Sequence, residues 1–157
     1  MIPEEVQLLP FQVRDIPLLG SWLKKPYIQK VFGDPEEWLS EIEENLESAD
    51  WIDYFIICSD RPIGFCQYYD TQKAPPGEWS AEPPRTAGID YLIGEEDYLG
   101  KGFGRQSVRL LIGLVQKDPD FDYIIADPDP GNHISVNLLK TLGFIWNENG
   151  LMHKKIK

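Results

Sequence analysis

The 157-residue chain is long enough to bury a sizeable core, and its length predicts one domain covering residues 1–157. Its 42% hydrophobic and 12% aromatic content excludes a disordered chain. Acidic residues outnumber basic ones 26 to 15, and the net charge of -11 disfavours nucleic acid and anionic membranes as partners while suiting a cationic small molecule, or mere solubility.

Residues 1–5 carry neither the basic nor the apolar region of a signal peptide, and no apolar run reaches the roughly 20 residues that span a bilayer. A cytoplasmic location is therefore expected. Residues 6–11 read as a first strand. Asp15 and Pro17 then supply a capping acid and an early-helix proline. Leu18, Leu19, Trp22 and Leu23 repeat at helical spacing until Lys24, Lys25 and Pro26 stop the helix. Asp34, Pro35 and Glu37 give a stronger start: a capping acid, a proline at the first helical position and a glutamate at the third. Trp38, Leu39, Ile42 and Leu46 form the apolar stripe of that helix, and residues 34–53 contain no lysine or arginine. Its acidic face is either solvated or a wall facing a cationic substrate.

Residues 53–58 and 63–69, rich in isoleucine, phenylalanine and tyrosine, flank Ser59-Asp60-Arg61-Pro62 and read as a hairpin. Cys58 and Cys66 lie in these apolar runs and are expected to be buried, reduced thiols. Four prolines, Gly77 and Trp79 mark residues 71–87 as a long loop, a length that in compact domains accompanies function or disorder. Residues 87–93 return to strand character. A glycine-rich loop follows, and Val108, Leu111, Ile112 and Val115 share one face of the next helix. After a turn at 118–122 come a short buried strand at 123–126 and a proline-broken segment at 127–131. Asn132 caps a last helix closed by Gly143, and residues 144–146 and 151–156 form a final hairpin around 147–150.

The glycine-rich loop, Tyr98-Leu99-Gly100-Lys101-Gly102-Phe103-Gly104-Arg105, carries the chemistry. Glycines at alternate positions let the backbone turn tightly and leave N–H groups uncovered, just where a helix presents the positive end of its dipole. Lys101 and Arg105 add two cations. A phosphate is the natural occupant. A Walker loop needs Ser or Thr after Lys101, where Gly102 stands, and a dinucleotide fingerprint started at Gly100 needs a glycine where Arg105 stands.

The spacing fits instead the acyl-coenzyme A loop of the GNAT acetyltransferases, Q/R-x-x-G-x-G/A, with Leu99 replacing the usual polar first residue. The order of strands and helices follows that superfamily along the whole chain. Within it, the chain most resembles the aminoglycoside 6′-N-acetyltransferases. The likeness rests on Pro62-Ile63-Gly64-Phe65-Cys66-Gln67, Gly88-Ile89-Asp90, Leu99 to Gly104, Asp127-Pro128-Asp129-Pro130-Gly131-Asn132 and Leu142-Gly143-Phe144. It implies an α+β fold, a mixed central sheet with flanking helices, and acetyl-CoA as cofactor. It also implies a cationic small-molecule amine as partner, plausibly an aminoglycoside, for a monomer or homodimer.

The resemblance assigns roles residue by residue. Leu99, Gly100, Lys101, Gly102, Phe103, Gly104 and Arg105 would receive the pyrophosphate. Leu92 and Ile93 would offer backbone contacts to pantetheine in a gap between strands, one N–H acting as an oxyanion donor. Asn132 matches a position near the pantetheine arm, or serves as a cap alone. An alkylammonium, with a pKa near 10.4, must lose a proton before it attacks, and Asp90 matches the carboxylate that takes it. Asp127 matches an acceptor-binding acid, or stabilises a turn. Glu78 is a third candidate carboxylate, and Gln67, Tyr69 and Trp79 are candidates to line the acceptor pocket, Tyr68 or Tyr69 packing in the core instead if it points inward. The superfamily's proton-donating tyrosine falls at Leu139, which implies slower chemistry or a substitute donor.

Two alternatives stay open: an acceptor that is a peptide, protein or siderophore-like amine, or an acyl-CoA-binding protein with little catalysis. No Gly-x-Ser-x-Gly elbow occurs, His133 and His153 are isolated, and the calcium-loop-like Asp127-Pro128-Asp129 has Leu138 where its closing glutamate belongs, so no metal is expected.

Overall fold

Alternating apolar residues organise the chain around one mixed sheet. The computed structural model describes residues 5–157, so most of the N-terminal stretch read for a signal peptide falls outside the described residues. The strands are β1 (Gln7–Pro10), β2 (Ile52–Cys58), β3 (Pro62–Asp70), β4 (Thr86–Ile93), β5 (Tyr123–Ala126), β6 (Ile145–Trp146) and β7 (Met152–Lys155), in the order β1-β2-β3-β4-β5-β7-β6. Neighbours are antiparallel except β4 and β5, which α4 (Phe103–Lys117) joins as a parallel crossover.

Helices cover both faces. On one side α1 (Ile16–Leu23), α2 (Pro26–Phe32) and α3 (Pro35–Ser48) enclose Phe11, Tyr54, Ile56, Phe65 and Leu92. On the other, α4 and α5 (His133–Thr141) enclose Ile57, Cys66, Ala87, Ile89 and Ile124. Strand alternation does the sorting: Ile89 and Ile93 of β4 belong to the second core and Leu92 to the first. This is the α+β architecture with flanking helices that the motifs imply. No helix of the described residues is long and apolar enough to cross a membrane.

Most local signals act as read. Asp34 Oδ1 accepts the Glu36 N–H at 2.9 Å, and Pro35 opens α3. Asn132 Oδ1 accepts the Ser135 N–H at 3.2 Å to start α5. At its other end the N–H groups of Gly143 and Phe144 return to the carbonyls of Lys140 and Leu139, with Gly143 at φ 95°. This is a Schellman closure.

Three expectations change. Asp15 does not cap α1; its carboxylate accepts the Gln12 N–H at 2.9 Å and braces the 3-10 turn Val13–Asp15 ahead of the helix. Pro26 ends α1 but also begins α2, because a proline that cannot continue one helix suits the first position of the next. Cys66 is buried as expected, whereas Cys58, at a strand end, is only half-buried; both are free thiols.

The sheet opens at the C-terminal end of β4. β4 spans eight residues but pairs with β5 only at Thr86, Ala87 and Gly88. Beyond Gly88 the two parallel strands part and leave a wedge at the C-terminal end of β4.

Candidate active site

Backbone groups build one half of the site. The Thr71 N–H donates to the Thr86 carbonyl (3.1 Å) and the Gly94 N–H to the Ile63 carbonyl (2.7 Å), which fixes the phase of the β3–β4 ladder. Gly88, Asp90 and Leu92 therefore turn their amides toward β3, while Tyr91 and Ile93 turn theirs into the wedge. Of the two residues singled out for backbone contacts, Ile93 thus faces the wedge and Leu92 is directed at Phe65 of β3. Tyr91 takes its place, and the period of two in a strand is the signal that finds it. The Ile93 carbonyl already accepts the Tyr27 hydroxyl at 2.8 Å.

The glycine loop closes the wedge from above. Gly100 (φ 71°) and Gly102 (φ 88°) are both left-handed, and Gly102 immediately precedes α4. Any side chain there would strain the turn. No amide of residues 100–105 donates to a protein acceptor among the described residues, and the first turn of α4 carries no acid. A β-carbon on Gly104 would sit in ordinary contact, 3.5–3.9 Å from Leu138, Ile93 and Tyr91, so this glycine borders the mouth of the wedge. This cradle of free N–H groups at a helix N-terminus fits a pyrophosphate, and the wedge below fits an extended arm. Phe103 is buried against Tyr98, Lys101 is exposed, and the Arg105 Nε donates to Thr141 Oγ1 at 3.0 Å. Leu99, 43% exposed, adds no polar group.

Side chains build the other half, on the α1–α3 face. Gln67 and Asp90 lie opposite one another in register, and Gln67 Nε2 donates to Asp90 Oδ2 at 2.8 Å. Loss of solvent pushes the Asp90 carboxyl up to about 7; the charges of Asp127 and Glu41 push the same way, against the Gln67 hydrogen bond, which lowers it. Asp127, just past β5, is raised by burial and then by the charge and hydrogen bonding of Glu78 from the 71–85 loop. The Tyr69 hydroxyl is held far above the usual phenol range by burial, then by Asp90, Asp127 and Glu41. Trp79 meets Tyr69 edge-on at 5.9 Å, and its Nε1 donates to the Pro75 carbonyl at 3.0 Å. Tyr69 lies over Gly88, where a β-carbon would collide with the ring. Tyr68 points to the opposite face and packs on Phe55 and Phe121.

Glu41 was not among the residues singled out. The acidic run was visible, but helix phase decides which acid turns inward. Ile42 is buried, and on either side of it Glu41 acts on Asp90 while Asn45 Nδ2 donates to the Tyr54 hydroxyl at 2.9 Å. Burial, with Glu41 and Asp90 adding to it against the Asn45 hydrogen bond, pushes Tyr54 up to about 12. Asn132 keeps its capping bond at the mouth of α5. Leu139 is 1% exposed in the α4–α5 core and carries no proton to give. A phenol on that face, Tyr91, shares a 2.8 Å hydrogen bond with Ser135 Oγ.

A parallel strand pair that splays beneath an amide cradle, with a half-buried carboxylate on the adjoining face, defines an acyl-coenzyme A-dependent acyltransferase. Comparison with known proteins narrows that class. Residues 12–150 match the family described as Acetyltransferase (GNAT) domain. The aminoglycoside N(6')-acetyltransferase type 1 of Klebsiella pneumoniae is 30% identical over 149 residues, 90% of this chain and 74% of that protein. The alpha/beta-tubulin-N-acetyltransferase 9 of Drosophila melanogaster is 23% identical over 156 residues, 92% of this chain and 78% of that one. A crystal structure of aminoglycoside acetyltransferase AAC(6')-Ib in complex with coenzyme A and kanamycin superposes with a TM-score of 0.82 at 27% identity, over 96% of this chain and 95% of that one. The chain belongs to the GNAT acetyltransferases and is an acetyl-CoA-dependent N-acetyltransferase.

Proposed function

We propose that the acceptor is a polycationic amine of the aminoglycoside class, acetylated at its 6′-amine in the cytoplasm, with Asp90 as the general base. The observation that carries this reading is the convergence of Glu41, Glu78, Asp90 and Asp127 on one cleft from four separate segments. None of the four is ion-paired among the described residues. Carboxylates held together without cations favour a ligand that brings its own. The likeness to aminoglycoside acetyltransferases points the same way.

Bound acetyl-CoA supplies an acetyl group activated as a thioester. The N–H groups of residues 100–105 hold its pyrophosphate, with Lys101 and Arg105 as flanking cations. The N–H groups of Tyr91 and Ile93 line the wedge, and Asn132 stands at its rim. Glu41, Glu78 and Asp127 draw the acceptor's ammonium groups into the cleft, between Tyr69 and Trp79. Asp90 holds the reacting ammonium and accepts its proton, directly or through water. Its pKa of about 7 balances ionisation against basicity near neutral pH. Gln67 fixes the carboxylate's orientation.

Thiol release from acetyl-CoA with kanamycin and a panel of related amines tests the reading. Acetylation of the 6′-amine, located by NMR of the product, is expected. No stimulation by any member would refute the acceptor assignment. The Drosophila relative favours a second reading, a peptide or protein amine, and acetylated peptides in a treated cell extract would then appear in place of aminoglycoside products.

A further inference from the structure

The loop that carries Glu78 and Trp79 is tied to a distant part of the chain by one residue. Glu82, only 5% exposed, sits at the end of the 3-10 turn Glu78–Ala81. Its carboxylate accepts from Asn147 Nδ2 on both oxygens (3.0 and 3.2 Å) and from Asn149 Nδ2 at 2.6 Å. Both asparagines belong to the turn between β6 and β7, at the far side of the sheet from α3. No cation balances Glu82 among the described residues. A buried carboxylate held only by amide donors is costly unless every donor is in place.

The donors are held by the fold. Asn147 Oδ1 accepts the N–H groups of Asn149 (2.9 Å) and Leu151 (3.1 Å), which leaves Nδ2 as the group that must face Glu82. The Asn147 N–H donates to the Leu151 carbonyl at 2.7 Å, closing the hairpin. On the loop side the Glu82 N–H donates to the Trp79 carbonyl at 3.0 Å, and Pro83 and Pro84 stiffen the path back to β4. Gln72 Nε2 adds a bond to the Glu82 carbonyl at 3.3 Å. The carboxylate therefore connects the β6–β7 hairpin to the short turn that carries Glu78 and Trp79.

We propose that Glu82 is a positioning residue for the acceptor, acting through Glu78 and Trp79 with Asn147 and Asn149 as its anchor. This rests on the assignment of Glu78 and Trp79 to the acceptor side. Glutamine at position 82 keeps the shape but turns an N–H against the Asn147 or Asn149 N–H, so the loop is released without a cavity. E82Q should raise KM for kanamycin about tenfold, the scale set by leaving a buried partner unpaired, with kcat and coenzyme A affinity within about twofold. N149A, which removes one donor, should give a smaller rise of about threefold and keeps the test open if E82Q folds poorly. In an E78Q background the E82Q effect should shrink, because the two act on the same contact.

Unchanged KM for E82Q and N149A, or full additivity with E78Q, would overturn the proposal. So would an equal loss of coenzyme A affinity, which marks a general structural role. If E78Q itself leaves KM unaltered, the acceptor assignment is at fault instead. Hydrogen exchange of residues 78–82 reads the latch with no acceptor present: E82Q should speed it about tenfold while leaving residues 100–105 as they are, and equal rates would refute the latch.

Discussion

The two halves of the site are made of different materials. The half proposed for the coenzyme is backbone: N–H groups of one eight-residue loop and two amides of β4, exposed by Gly100, Gly102, Gly104 and an early end to strand pairing. The half proposed for the acceptor is side chain: carboxylates from α3, β4, the end of β5 and a long loop, with Tyr69 and Trp79 between them. A backbone site tolerates exchange of most side chains and demands a conformation. A side-chain site tolerates changes of path and demands particular charges. Substitutions should therefore separate the two halves cleanly, coenzyme affinity responding to conformation and amine kinetics to charge.

Asp90 gives the largest expected effect. D90N keeps the shape and removes the proposed base, and should lower kcat about a hundredfold to ten-thousandfold with coenzyme A affinity unchanged by calorimetry. For the native enzyme kcat/KM should fall below about pH 7, as Asp90 takes up its proton. The same group sets a stability trend of opposite sense. Its folded pKa is raised, so the native state holds the extra proton between the unfolded value near 4 and about 7, and stability falls as pH rises through that window. At pH 8 D90N should be more stable than the native protein by about 1–3 kcal/mol, measured by urea unfolding. Equal stability at pH 8 would mean that Asp90 is well solvated and its base role unsupported.

Gly102 probes the other half. At φ 88° a valine costs about 1–2 kcal/mol of backbone strain, relieved only by rotating the amides that form the cradle. G102V should weaken coenzyme A about tenfold, while the acid limb of the pH profile stays with Asp90. A shift of that limb in G102V would show the halves to be coupled.

Glu41 should matter less, since it approaches the cleft from a solvent-exposed position where its charge is partly screened. E41Q should raise the amine KM about threefold to tenfold, more at low salt than high, and leave kcat nearly unchanged. A salt-independent effect would point to packing instead.

These contrasts also explain what the sequence discloses. The cradle is legible because its parts are consecutive and glycine at a left-handed turn has few substitutes. The caps at Asp34, Asn132 and Gly143 are legible for the same reason: each acts within four residues of itself. Asp90 and Asp127 come through their neighbours, by resemblance, since a lone aspartate at a strand end has no signature of its own. Glu41 stays hidden among eight other acids of residues 34–53 until Ile42 fixes the helix phase. Glu82 is hidden more deeply, because its partners lie 65 and 67 residues away. Leu92 and Tyr91 show a subtler limit: which amide faces the wedge depends on ladder phase, set by pairs with β3 that no local motif records.

Tyr91 offers the smallest expected effect and decides how the thiolate departs. With Leu139 buried and aprotic, the Tyr91 hydroxyl, at the wedge and bonded to Ser135 of α5, is a candidate to replace the missing acid. Burial, partly offset by the Ser135 hydrogen bond, raises its pKa from an already high value. A thiolate, whose conjugate acid has a pKa near 8.5, draws a proton only uphill from such a phenol. Departure as the free anion is then the easier course, and Y91F should change kcat by less than about threefold. The solvent deuterium isotope effect on kcat should be the same in both proteins. A drop of a hundredfold in Y91F, with an altered isotope effect, would instead make this phenol the acid and join the backbone half of the site to the chemistry.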